Sequence, residues 1–197
     1  MKYSESRIYK LSKTVYEFAK KTAKPYSSKF SKRTFTQPQH IAINCLKRKI
    51  NEDYRDMEAL IAEMPRIQEV LELKEIPDFT TIKKAFDRLS THIFVVLLML
   101  TSSVFEQSGI YGADSTGFPR SYASRHYTKR CKMKLESLKV TFIVDIHTQC
   151  IVGVHITVTR KHDTQIILCL VKRVKGRAEI KVLMADKVMT VLRYAGN

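Results

Sequence analysis

Apolar residues recur at two different periods along this chain, helical up to about residue 105 and strand-like beyond it. Near the start, Leu11, Val15, Phe18 and Ala19 make one weak helical stripe within residues 1–34, which are rich in Lys, Ser and Tyr. That stretch reads as a basic, loosely ordered arm. From Gln37 the helical spacing strengthens through Ile41, Ala42, Cys45, Leu46 and Ile50. Asn51-Glu52-Asp53 supplies a cap for a second helix, whose inward face is Tyr54, Met57, Leu60, Ile61 and Met64 and which Pro65 ends. A short helix is predicted over 67–73. A long one then starts at Pro77-Asp78-Phe79-Thr80-Thr81, capped by Asp78 or Thr80, with Ile82, Phe86, Leu89 and Ile93 facing inward. Several short helices in this order resemble a helix-turn-helix bundle, in which Lys83, Lys84 and Arg88 could meet a DNA backbone. A plain helical bundle with a solvated charged face gives the same spacing, and periodicity does not separate the two.

After Phe105 come runs rich in Val, Ile, Phe and Thr at 110–114, 138–146 and 151–158. The short turn His147-Thr148-Gln149 makes the last two an antiparallel hairpin. His162-Asp163-Thr164 starts a helix that turns Ile166, Ile167, Leu170, Val171 and Val174 inward; Gly176 closes it, and 179–185 is a fourth strand. Strand, hairpin, helix, strand implies a mixed sheet in which the last strand runs parallel to the first and beside it. The fold class is therefore α/β (α+β): a helical bundle over 35–105, then a mixed β-sheet domain over 106–187.

Charge changes the picture more than composition does. The 197 residues are 44% hydrophobic, enough for a sizeable core, yet carry a formal net charge of +16. Residues 1–49 hold 13 Lys+Arg against 2 Asp+Glu, residues 50–105 hold 6 against 10, and residues 106–197 hold 16 against 7. Such an imbalance favours a polyanionic partner, nucleic acid before anionic membrane. Lys20, Lys21, Lys32, Arg33, Lys83, Lys84 and Arg88 are the candidate phosphate contacts. The four cysteines (45, 131, 150 and 169) are far apart with no CxxC pair, so nothing suggests a zinc knuckle or disulfide framework and a cytoplasmic protein fits. The longest apolar run, 93–100, is far shorter than the roughly 20 residues that span a bilayer, so no membrane partner is expected.

The chemistry lies in two acids. Asp114 ends the 110–114 run ahead of Ser115-Thr116-Gly117, and Asp186 follows Leu183-Met184-Ala185 in the same kind of place. Two carboxylates at the ends of neighbouring strands can hold Mg²⁺ against a phosphodiester. Asp145 reads as a turn-adjacent or structural acid, His162-Asp163 as a helix start, and the remaining histidines show no ligand spacing.

Taken in order, Ile76-Pro77-Asp78-Phe79-Thr80-Thr81, Ala113-Asp114-Ser115-Thr116-Gly117, the 138–146 strand, Arg160-Lys161-His162-Asp163 and Leu183-Met184-Ala185-Asp186-Lys187 resemble the DDE transposases of prokaryotic insertion sequences. The resemblance runs from about Phe35 to Lys187. It implies an RNase-H-like catalytic domain, Asp114 and Asp186 as the first two catalytic and metal-binding acids, and a two-Mg²⁺ site. It further implies double-stranded DNA at element ends as partner, strand cleavage and transfer as activity, and homo-oligomers in the intact family. A third acid, usually Glu on a later helix, has no counterpart in this chain.

Where the family continues Asp-Lys-Gly-Tyr-Asp-Ser, this chain reads Asp186-Lys187-Val188-Met189-Thr190-Val191. Losing one G from GGT TAT GAC AGT gives GTT ATG ACA GT, which encodes Val-Met-Thr-Val. The expectation is a frame lost after Lys187, an aberrant tail over 188–197, an incomplete metal site and a sheet with an open apolar edge. On that reading the polypeptide is a truncated, inactive transposase remnant. The alternatives are a non-catalytic DNA-binding protein or repressor of related elements, and an RNA-binding or nuclease-like protein sharing only the fold.

Overall fold

The computed structural model describes residues 5–118, 138–158 and 163–185. Two compact units divide the chain, residues 1–97 and 98–197. The division lies ahead of the expected boundary after Phe105, inside a helix that the change of period does not mark.

The first unit is helical: α1 (Arg7–Thr22), α2 (Gln37–Ile50), α3 (Tyr54–Glu63), α4 (Pro65–Val70), α5 (Phe79–Arg88) and the start of α6 (Thr91–Ser102). The basic arm is a correction. Residues 7–22 form α1, started by the Ser6 hydroxyl accepting from the Tyr9 amide, with Val15, Tyr16 and Ala19 buried in the core. The stripe looked weak because two polar residues complete it. Ser12 is buried, and Tyr16 packs its ring inward while its hydroxyl donates to Glu72 at 3.1 Å. Burial and the Glu72 carboxylate push that phenol up to about 12.

Capping fixes the other helix starts. Thr36 and Gln39 form a reciprocal capping box on α2, and the Gln39 side-chain amide also donates to the Leu71 and Glu72 carbonyls at 3.0 Å each. Asp53 caps α3 by accepting from the amides of Arg55 and Asp56. Asp78, not Thr80, caps α5. The expected long helix from residue 78 through 93 is two helices, with 89° between α5 and α6. Leu89 turns extended and the Ser90 hydroxyl accepts from the His92 amide, so a new helix starts there although the apolar spacing runs on. Among the described residues, no single helix is long and apolar enough to cross a membrane. The core is Ile41, Ile43, Leu46, Met57, Ile61, Leu71 and Ile82, all fully buried.

The second unit is α+β, a four-stranded mixed sheet ordered β3-β2-β1-β4, where β1 is Ile110–Phe118, β2 Leu138–Asp145, β3 Ile151–Thr157 and β4 Val182–Ala185. β1 and β2 pair antiparallel, as do β2 and β3, while β4 runs parallel to β1. Helix α7 (Asp163–Lys175) packs Ile167, Leu170, Val171 and Val174 on the face presented by Tyr111, Ala113, Ile143, Val152 and Leu183. Gly153 sets how closely that helix lies. A β-carbon there would sit 2.9 Å from Val174 and 3.3 Å from Leu170. Gly153→Ala is expected to destabilise the unit by about 1–3 kcal/mol, because two core side chains must move; urea denaturation measures it.

Candidate functional site

Asp114 lies in the middle of β1, not at its end. β1 continues four residues further against β2, to the pair Phe118 with Leu138. Beside it, the parallel pairing with β4 sets Ala113 against Ala185. Asp114 and Asp186 each follow a member of that pair in sequence; Asp186 lies outside the described residues. Alternation along β1 turns Tyr111 and Ala113 into the α7 core and leaves Asp114 exposed on the other face. One carboxylate oxygen of Asp114 accepts from the Ser115 amide at 2.7 Å. Ser115, on the covered face, shares a 2.8 Å hydroxyl contact with Thr141 and steadies the strand there.

An exposed carboxylate is a hard oxygen donor of the kind Mg²⁺ takes. Among the described residues, no group of three or more His, Cys, Asp or Glu could hold a metal. The described part of the site thus supplies one fitting ligand.

Asp145 is the acid that this unit buries completely. One oxygen accepts from the Ser108 amide at 2.7 Å and its hydroxyl at 2.9 Å. The other accepts from the amides of His147 and Thr148 at 3.0 and 2.9 Å. Burial alone would raise its pKa, but the bonds from Thr148 and Ser108 outweigh it and hold the carboxyl at about 2. Asp145 therefore ties the β2–β3 turn to the segment that leads into β1. It is structural, and through Ser108 it holds the strand carrying Asp114 in place.

The basic residues separate into groups. Lys20 is engaged by Glu17 at 2.8 Å and Glu72 at 3.4 Å, and Lys83 by Asp87 at 2.8 Å, so neither is the readiest phosphate ligand. Lys21 lies 5.8 Å from the Phe18 ring and Arg33 6.0 Å from the Tyr26 ring. Lys32, Lys84 and Arg88 line one cavity of about 540 Å³ between the loop that precedes α2 and the outer side of α5. Among the described residues none of these three has an acidic side chain within ion-pair distance.

That loop is compact. The Gln37 amide donates to the Pro25 carbonyl at 2.8 Å, closing its ends, and Ser31 accepts from the Ser28 amide at 3.2 Å. His40 lies at the cavity wall with its ring centre 5.7 Å from that of Phe35, edge to face. Burial drives its pKa down to about 4, so the imidazole is neutral near pH 7. Sequence reading passed over His40 and the aromatics around it. The signal was present, since Tyr26, Phe30 and Phe35 interleave with Lys29, Lys32 and Arg33 over ten residues that contain no acid.

No protein-family model matches this chain, and no curated protein does.

Proposed function

We propose that this chain is a DNA-binding polypeptide of the DDE transposase type, with its sheet domain the acid-bearing part of an RNase-H-like catalytic fold. The observation that carries the reading is the parallel pairing of β1 with β4, which sets Ala113 against Ala185, the residues that precede the two acids in sequence. The sheet order β3-β2-β1-β4 supports it, because a parallel neighbour is what lets two strands deliver their acids to the same edge. Asp114 and Asp186 would hold Mg²⁺, which when bound polarises a phosphodiester and neutralises its developing charge. Asp114 contributes an exposed oxygen on the sheet face away from α7, and Asp145 keeps its strand fixed.

The helical unit would hold the duplex. Its net positive loop and the Lys84 and Arg88 side chains of α5 supply phosphate contacts, in the manner of a helix-turn-helix bundle. The cavity gathering Lys32, Lys84 and Arg88 also favours a second reading, a non-catalytic DNA-binding protein that uses this unit alone. Binding of the full chain to duplex DNA, measured across a salt series, tests what the two readings share. Affinity falling steeply with salt is expected, since each neutralised phosphate releases counterion. Salt-independent or absent binding removes both. The Asp114→Ala variant then divides them: loss of any Mg²⁺-dependent nicking supports the first, whereas unchanged behaviour throughout supports the second.

A further inference from the structure

The cavity beside α5 is larger and more aromatic than phosphate contact requires. Its cations are Lys84 and Arg88, one helical turn apart on α5, and Lys32 of the loop that precedes α2. That loop also contributes Phe30 and Phe35, and α2 contributes His40. Phe30 is 85% exposed, an unusual place for a large apolar ring, and the Lys29 ammonium lies 5.1 Å from its centre. The His40 ring packs edge-on to Phe35. Among the described residues no acid lines the cavity. Asp78 bears electrostatically on Lys84 but is occupied in capping α5 through Thr80.

A base-paired duplex can set its phosphates against these cations, but it keeps its bases stacked inside and away from the aromatic rings. A nucleotide out of the stack can use both. We propose that this cavity takes one unpaired nucleotide of a DNA strand, its phosphate against Lys32, Lys84 and Arg88 and its base against Phe30 and Phe35. The inference rests on the reading that DNA is the partner, and it adds strand opening or end fraying to what the helical unit recognises.

The chain contains no tryptophan, so Phe30→Trp places a single reporter in the site. Full-length Phe30→Trp is titrated with short oligothymidylate, with a duplex of the same length and with inorganic phosphate. Quenching is expected with the single strand only. In parallel, Phe30→Ala should weaken single-strand binding roughly tenfold, within the range that one base–aromatic stack contributes, and leave duplex affinity unchanged. Phe30 is too exposed for either substitution to disturb the fold, and circular dichroism checks this. Unquenched tryptophan, or equal losses on both forms of DNA, overturns the inference while leaving duplex binding intact. Failure of either DNA form to bind would instead remove the DNA reading, and this inference with it.

Discussion

Substituting Lys84 and Arg88 together by alanine is expected to weaken binding to duplex DNA about 10- to 100-fold at physiological salt. Both are exposed on α5, neither has an acidic partner in ion-pair range among the described residues, and both line the same cavity as Lys32. Losing two phosphate contacts should also flatten the plot of log affinity against log salt by about two units, because fewer counterions are released. The control is Lys83→Ala. Lys83 already faces Asp87 at 2.8 Å, so its removal should change affinity and slope by much less. Fluorescence anisotropy with a labelled duplex measures all three variants. Equal losses for Lys83 and for the pair would mean that net charge, rather than this surface, carries binding.

The second large effect is on stability. Asp145→Ala leaves the amides of Ser108, His147 and Thr148 and the Ser108 hydroxyl, all part-buried, without their shared acceptor. Losing such charge-assisted bonds costs about 1.5–3 kcal/mol. Hydrogen exchange across β1, β2 and β3 should show the loss, with amides of the helical unit far less affected. Acid should act on the two units at different pH. His40 is held neutral, its pKa down near 4 from an ordinary value of about 6.5, so the unfolded chain binds a proton that the folded one refuses. Its contribution to the helical unit is complete above about pH 6.5 and lost as pH falls toward 4. Asp145, at about 2 in the fold against about 3.9 unfolded, contributes fully above about pH 4 and loses that contribution only as pH falls toward 2. The helical unit should therefore weaken first, and His40→Leu should remove that early phase.

Local chemistry made much of this fold legible in the sequence. Asp53 and Asp78 announce helix starts because their side chains answer amides two or three residues away, and the His147-Thr148-Gln149 turn makes a hairpin of β2 and β3 by its shortness. The parallel place of β4 beside β1 follows from the helix between β3 and β4, which carries the chain back across the sheet. What the sequence hid depends on distant contacts. Ser12 reads as polar, and only the neighbours of α1 show that it is buried. The break at Ser90 hides inside a continuous apolar spacing, since Leu89 and Ile93 both reach the core across it. The cavity needs residues near Pro25 brought against Arg88, which no local pattern announces. For the acids, the sequence identified the neighbouring strands but set Asp114 at a strand end, whereas β1 runs past it.

We propose that Asp114 and Asp186, which follow the paired Ala113 and Ala185, share one divalent-ion site. Titrating isotopically labelled full-length chain with Mn²⁺ while recording amide spectra tests it most directly, since a paramagnetic ion broadens the resonances nearest to it. The account predicts that Ala113, Ser115 and Ala185 broaden first, and that Asp114→Asn abolishes this selective loss. Broadening that begins elsewhere, or that persists at those amides in Asp114→Asn, would contradict it.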